Sequence, residues 1–211
     1  MNCYPVILNL EKQKVLVIGG GPVAERKIKT LLDCGGKLTV ISPEVSPEIK
    51  RLTYAEGIMW LDREYKDGDL NGFSMVIAAT DDHETNSKIA REALQKGVLV
   101  NVVDDPSNSS CLMPAFFRRG NMIVAISTSG ASPALASKLK ERLSYEIGPE
   151  WSDLTQIVGE VRQELKNRGE TMTDLDWEKA LDIDDLLTLI KSGRKDEAKH
   201  SLLKRLVGGS L

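Results

Sequence analysis

Gly19-Gly20-Gly21 lies between an apolar run, Val15-Leu-Val-Ile18, and a stretch in which Val23, Ala24, Ile28, Leu31 and Leu32 recur at helical spacing. The run alternates too little for a half-exposed strand and predicts a buried parallel one. Read as Gly-x-Gly-x-x-Ala, the segment has Gly19 for a tight turn and Gly21 for close approach of a pyrophosphate, while Ala24 keeps the helix near the strand. Pro22 and Val23 open that helix, whose free N–H groups and positive dipole end suit phosphates. A glycine-rich turn can also bind nothing; the strand–turn–helix setting favours a dinucleotide. One part of such a site is missing. An acid about 20 residues on usually holds the adenosine ribose. Here the second strand, Lys37-Leu-Thr-Val-Ile-Ser42, ends in Ser42-Pro43, with Glu44 two residues later. Ser42 can bond a ribose hydroxyl but brings no charge. No arginine follows directly to meet a 2′-phosphate, so NAD is expected over NADP.

Other residues with chemistry to offer fall at strand ends. Thr80-Asp81-Asp82 follows the apolar Met75-Val-Ile-Ala-Ala79, and Asp104-Asp105-Pro106 follows Val98-Leu-Val-Asn-Val-Val103. In an open parallel sheet, ligands bind outside the carboxyl ends of the strands, which gathers Gly19–Gly21, Ser42, Thr80–Asp82 and Asn101–Asp105 around one crevice. Asp104 can serve as a proton acceptor there, or can merely cap a turn, since Asp before Pro is ordinary turn chemistry. Thr80 and Asp81 are expected at the cofactor ribose; Asp81 and Asp82 can equally cap the helix starting near His83. His83 and His200 are the only histidines and form no metal-ligand pattern, so no tightly bound structural metal is expected.

The elements that must position these residues alternate strand and helix. Strands are expected at 14–18, 37–42, 58–61, 75–80 and 98–103, with helices from Pro22, over 48–56, and over about 83–96, where Ile89, Ala93 and Leu94 face inward. This pattern predicts a Rossmann-like, doubly wound parallel sheet. Residues 4–10 read as a short apolar edge strand, and 66–72 as a polar linker. Beyond residue 112 the pattern changes. Pro114–Gly120 is a short apolar and basic segment, and Met122–Ile126 a sixth strand. A helix capped by Ser132 follows to about Ile147, with Leu135, Leu139 and Leu143 along one face. Three helices are then expected, from Glu150, over 176–192, and over 194–207 up to Gly208-Gly209. The fold class is α/β, organised as 1–112 (dinucleotide binding), 113–149 (a small α/β segment) and 150–211 (helical).

Composition sets limits on partners. The 211 residues carry a formal net charge of −3, with basic residues dispersed among acids, which argues against nucleic acid. No apolar run approaches a membrane span. The first ten residues lack the basic and long apolar regions of a signal peptide. Cys3, Cys34 and Cys111 are too few and scattered for a disulfide framework or zinc site, so a cytoplasmic location is expected.

Several stretches together resemble the siroheme-synthesis precorrin-2 dehydrogenase / sirohydrochlorin ferrochelatase family: Tyr4-Pro-Val-Ile-Leu8, Val17-Ile-Gly-Gly-Gly-Pro-Val-Ala-Glu-Arg-Lys27, Ala78-Ala-Thr-Asp-Asp82, Asn101-Val-Val-Asp104 and Val124-Ala-Ile-Ser-Thr-Ser-Gly-Ala-Ser-Pro133. The resemblance implies NAD-dependent oxidation of precorrin-2, an acidic tetrapyrrole, to sirohydrochlorin. It also implies a homodimer through the middle segment, a substrate cleft beside the nucleotide domain and, in some relatives, insertion of ferrous iron there. Asp104 matches the family's implicated aspartate. The cofactor residues on this reading are Gly19, Gly20, Gly21, Pro22, Val23, Ser42, Thr80, Asp81 and Asn101. Thr128 matches a hydroxyl position near the tetrapyrrole. Arg118 and Arg119, with Lys138, Lys140 and Arg142, are the nearest cations for its carboxylates, although they can also form a solvated basic face. A methyltransferase domain fused in some relatives needs more chain than follows residue 150, so that activity is not expected.

Two other functions remain open. A non-catalytic NAD-sensing domain would use the glycine turn but leaves Asn101–Asp104 and Ser127–Pro133 without a role. A dehydrogenase of small hydroxy acids would want a lysine or histidine base, for which no position stands out.

Overall fold

The computed structural model describes residues 2–208. They form two compact units, one ending at Met113 and one beginning at Pro114.

In the first unit, the buried run becomes the central strand β1 (Lys14–Ile18), followed by α1 (Pro22–Leu32), β2 (Lys37–Ile41), α2 (Pro47–Ala55), β3 (Met59–Leu61), β4 (Met75–Ala78), α3 (His83–Lys96) and β5 (Leu99–Val102). All five strands are parallel in the order β3-β2-β1-β4-β5, with Val17 of β1 opposite Val40 of β2 and Ile77 of β4. Successive side chains of β1 point to opposite faces. Val15 and Val17 pack with Ala24, Ile28 and Leu31 of α1 and Ile49 and Leu52 of α2. Leu16 and Ile18 pack with Ile89, Ala90 and Ala93 of α3. Both faces are covered, which is why β1 carries no polar alternation. From β1 the chain steps outward through β2 to β3, then returns to place β4 on the other side of β1. The strand order therefore reverses between β1 and β4, and a crevice opens above their carboxyl ends.

The return from β3 to β4 is made without a helix. Residues 62–74 cross the α3 face as a loop, with Leu70 wholly buried among Leu16, Val76 and Ile89. Removing such a side chain from water is worth about 1.5–3 kcal/mol, and the partly buried Tyr65 and Phe73 of the same loop pack against this cluster too.

Several expectations are corrected. Residues 4–10 are not an edge strand: they join no sheet, and Tyr4 and Ile7 are 87% and 72% exposed. Pro5 lacks the N–H that a ladder needs. Leu94 is 77% exposed, because the inward stripe of α3 runs through Asn86, Ile89, Ala90 and Ala93, one position away.

In the second unit, β6 (Ala115–Arg119) and β7 (Met122–Ile126) form an antiparallel hairpin of their own, with Phe117 opposite Val124. The segment 114–120 is thus the partner of the sixth strand, turned by Gly120 at φ +56° and Asn121. α4 (Pro133–Glu146) packs on the hairpin and is capped by Ser132, whose hydroxyl accepts from Leu135 N–H at 3.2 Å. Only Ala136 of α4 is buried; Leu135 and Leu139 stay 52% and 38% exposed.

The unit continues through α5 (Glu150–Asn167), α6 (Asp174–Ala180), α7 (Ile183–Lys191) and α8 (Lys195–Gly208), joined around Leu154, Val161, Leu186 and Leu202. The helix expected over 176–192 is two helices, because Asp182 caps a new start by accepting from Asp185 N–H at 3.2 Å. α8 reaches Gly208; Gly209, expected to share in its end, lies outside the described residues. No helix among the described residues is long and apolar enough to cross a membrane.

Candidate functional site

Above the ends of β1 and β4 lies a cleft of about 1000 Å³, built within the first unit. Its walls are the glycine turn, the β2–α2 turn (Ser42–Ser46), Arg63–Tyr65 after β3, Thr80–His83 with Asn86, and Val103–Asp104. The turns are stitched together by backbone. Gly19 N–H donates to Ile41 O at 2.9 Å and Ser46 N–H to Gly20 O at 2.9 Å.

The three glycines differ in what requires them. Gly19 has φ +117°, and a Cβ there would meet Ala79 O at 2.2 Å. At Gly20 a Cβ would meet Glu44 O at 1.9 Å. At Gly21 a Cβ would meet nothing within 4 Å, and φ is −80°, open to any residue. Gly21 is also the N-cap of α1 and offers no side-chain acceptor, where Ser, Asp or Asn is preferred. The first-turn N–H groups of Val23 and Ala24 have no intrahelical acceptor and no cap, so they stay open to a ligand.

Ser42 stands where an acid was expected, and the packing explains it. It is only 8% exposed, and its hydroxyl donates to Glu44 O at 2.6 Å beside Gly20. A carboxylate, which can only accept, would face that carbonyl.

The loop after β4 is held by a residue the sequence reading passed over. Asn86, 6% exposed, accepts from Thr80 Oγ1 at 2.8 Å and donates to Thr80 O at 2.9 Å. An asparagine on the inward stripe of a helix was the available signal. Asp82 takes the cap role: it accepts from Glu84 and Thr85 N–H at 3.2 and 3.0 Å, and the Thr85 hydroxyl, ahead of these N–H groups, holds its carboxyl below the usual range. Asp81 and Thr80 line the cleft, as does His83, the first residue of α3.

The two aspartates after β5 divide the same way. Asp105 caps the short 3-10 turn Pro106–Asn108, accepting from Asn108 N–H at 3.1 Å and Nδ2 at 2.6 Å. Asn108 is the main reason its carboxyl is depressed, with His83 adding a smaller pull. Asp104 is exposed to the cleft, sits at φ +59°, and makes no side-chain hydrogen bond or ion pair among the described residues. Its charge reaches Lys27 of α1, a half-buried amine whose pKa is lowered by burial first, against an upward pull from Asp104 and Cys111. Asn101 is not part of the cleft wall. It is 7% exposed and donates to Cys111 O at 3.1 Å, fastening the chain after β5.

In the second unit, Thr128 is bound into its own turn: its hydroxyl donates to Ser132 O at 3.1 Å and accepts from Ser132 N–H at 2.9 Å. Arg119 stacks over Phe117 at 5.0 Å and donates to Ser144 O and Ile147 O at 2.7 and 2.9 Å, tying β6 to the end of α4. Arg118 lies over Phe116 at 5.8 Å, with its side of the strand exposed. Lys138 and Arg142 are exposed on α4, and Lys140 is half-buried.

Residues 6–115 match the family described as putative NAD(P)-binding, and residues 119–144 match the family described as sirohaem biosynthesis protein, central. The chain belongs to the siroheme-synthesis family of NAD(P)-binding proteins. Siroheme synthase 1 of Aeromonas salmonicida is 38% identical across 95% of the chain, which spans 43% of that protein. A siroheme synthase of Pseudomonas aeruginosa is 35% identical across 99% of the chain and 45% of its own length. The solved structure of SirC, a precorrin-2 dehydrogenase, superposes over 98% of the chain and all of its own, with a TM-score of 0.70 and 29% identity. The chain therefore spans less than half the length of those two synthases and the whole of SirC.

For a siroheme-synthesis protein the residues present fit a dinucleotide. The fold requires glycine at 19 and 20, whereas the empty space beside Gly21 and the uncapped start of α1 leave room for a ligand's phosphates. Among the described residues no group of three or more His, Cys, Asp or Glu is placed to hold a metal ion.

Proposed function

We propose that the chain oxidises precorrin-2 to sirohydrochlorin with NAD. The observation that carries this reading is the pairing, in one cleft, of the open backbone at Gly21 with the uncommitted carboxylate of Asp104. When bound, NAD supplies the hydride acceptor. The N–H groups at the start of α1 hold the pyrophosphate, and Thr80, braced by Asn86, faces the ribose with Asp81. Asp104 accepts the ring proton released as the macrocycle loses its hydride, and orientation of two planar reactants supplies much of the remaining acceleration. Arg118 and the basic residues of α4 receive the substrate carboxylates, and Thr128 shapes the turn beside them. Ferrous iron, as a second substrate, would depend on the same Asp104 to take up pyrrole protons. A cytoplasmic location goes with this reading.

The direct test is an absorbance assay with precorrin-2 and NAD, then ferrous iron. NADH and sirohydrochlorin are expected to appear in equal amounts, with at most slow metal insertion afterwards. NAD binding without turnover would instead identify a sensing domain.

The reading includes a homodimer through residues 113–149. Leu135 and Leu139 on α4, exposed in the single chain, are the support, because an apolar helix face needs cover. Light scattering at micromolar concentration is expected to give twice the chain mass. A fully active monomer would contradict this.

A further inference from the structure

The dinucleotide reading leaves the adenosine end of the cleft without its usual acid, and the structure places something else there. Among the described residues, Arg63 is the one lysine or arginine in the cleft wall. It follows β3, and the loop that carries it is joined to the end of β2: Ser42 N–H donates to Leu61 O at 3.3 Å, and Arg63 N–H to the same carbonyl at 2.9 Å. Arg63 thus belongs to the β2–β3 side of the switch point, next to Ser42.

Its guanidinium is already engaged. Nη1 and Nη2 donate to the two oxygens of Asp69 at 2.7 and 2.8 Å, and Nη1 also to Glu64 O at 2.9 Å. The Asp69 side chain is 15% exposed and accepts from Lys66 N–H at 2.8 Å, so it cannot easily swing away. Arg63 holds the Asp69 carboxyl below its usual range, and the pair remains ionised at neutral pH. The two-pronged face of an arginine is what recognises a phosphate; here a carboxylate occupies it. Glu44 and Glu64 add negative charge to the same wall.

We propose that the Arg63–Asp69 pair sets cofactor choice: with Asp69 filling the guanidinium fork, the adenosine end accepts the 2′-hydroxyl of NAD and rejects the 2′-phosphate of NADP. This deepens the dinucleotide reading and rests on it. A purely structural pair, bracing the helix-less loop 62–74, would affect both nucleotides alike.

The experiment titrates the full-length protein with NADH and with NADPH by nicotinamide fluorescence, following thermal stability in parallel. The wild type is expected to favour NADH. Asp69→Asn frees the fork for a phosphate, and a charge-assisted bond of that kind shifts the NADPH-to-NADH affinity ratio about tenfold or more towards NADPH. Arg63→Ala leaves Asp69 as a bare carboxylate and moves the ratio the opposite way. In the double variant the gain for NADPH disappears. Equal changes for both nucleotides, or a gain that survives loss of Arg63, overturn the proposal. If Asp69→Asn does not fold, the ratio in Arg63→Ala decides alone. A wild type that binds neither nucleotide would refute the dinucleotide reading itself, a result distinct from an unchanged ratio.

Discussion

Asp104→Asn is expected to lower precorrin-2 turnover by about 10²–10⁴-fold, the usual contribution of a positioned general base. Asparagine keeps the size and hydrogen-bonding shape of the side chain, and it tolerates the left-handed backbone at φ +59°. Because no described side chain is hydrogen-bonded to the Asp104 carboxylate and its only charge effect is a secondary pull on Lys27, the melting temperature and the affinity for NAD should stay close to where they were. Asp105→Ala is the control. It removes the cap on Pro106–Asn108, so its effect should be on stability, by about 1 kcal/mol, more than on turnover. Steady-state kinetics of both variants with NAD and precorrin-2 separate the two roles. Unchanged turnover in Asp104→Asn would make Asp104 a turn residue. Iron insertion that persists while dehydrogenation falls would show that a single carboxylate does not serve both reactions.

Gly21→Asp should separate folding from cofactor binding even more sharply. The new Cβ meets nothing within 4 Å and no backbone strain, and aspartate is a preferred N-cap for α1. Aspartate and glycine caps differ by only a few tenths of a kcal/mol, so the fold should be as stable as before. For a pyrophosphate the same change brings a like charge and a side chain that fills the first-turn N–H groups. NAD binding by fluorescence or calorimetry should fall about a hundredfold or more, as expected when several charge-assisted bonds are lost together. Gly20→Ala gives the converse: its Cβ would meet Glu44 O at 1.9 Å, so the protein itself should suffer. Retained NAD affinity in Gly21→Asp would remove the glycine turn from the site.

Local signals in the sequence identified the parallel sheet, the glycine turn and the strand-end aspartates, because each depends on neighbours within a few residues. The rest depended on distant ones. Arg63 lies twenty-one residues beyond Ser42, and only the parallel pairing of β2 with β3 makes them neighbours. The missing ribose acid is legible in the sequence, but its cause, the Glu44 carbonyl against Ser42, is a turn closed in three dimensions. Asp104 and Asp105 are alike in sequence, and a single hydrogen-bond partner, Asn108, separates the cap from the exposed carboxylate. The segment Pro114–Gly120 reads as short, apolar and basic rather than as a strand, because β6 within it is a strand only through its pairing with β7.

The helix-less crossover from β3 to β4 has a consequence for the order in which the first unit assembles. A helix satisfies its backbone within its own length, whereas residues 62–74 make only a few turn bonds of their own and take further partners from elsewhere. Glu92 of α3 receives the Tyr65 hydroxyl and the Gly68 N–H, Lys96 of α3 reaches Asn71, and Ser74 N–H donates to Lys14 O of β1. The contacts to Glu92 and Lys96 do not exist until α3 has docked on the sheet, so this stretch is expected to become ordered late and to open early. One wall of the cleft, the one bearing Arg63, is therefore built of a segment whose order depends on docked neighbours, and a bound nucleotide would act there as a further piece of structure.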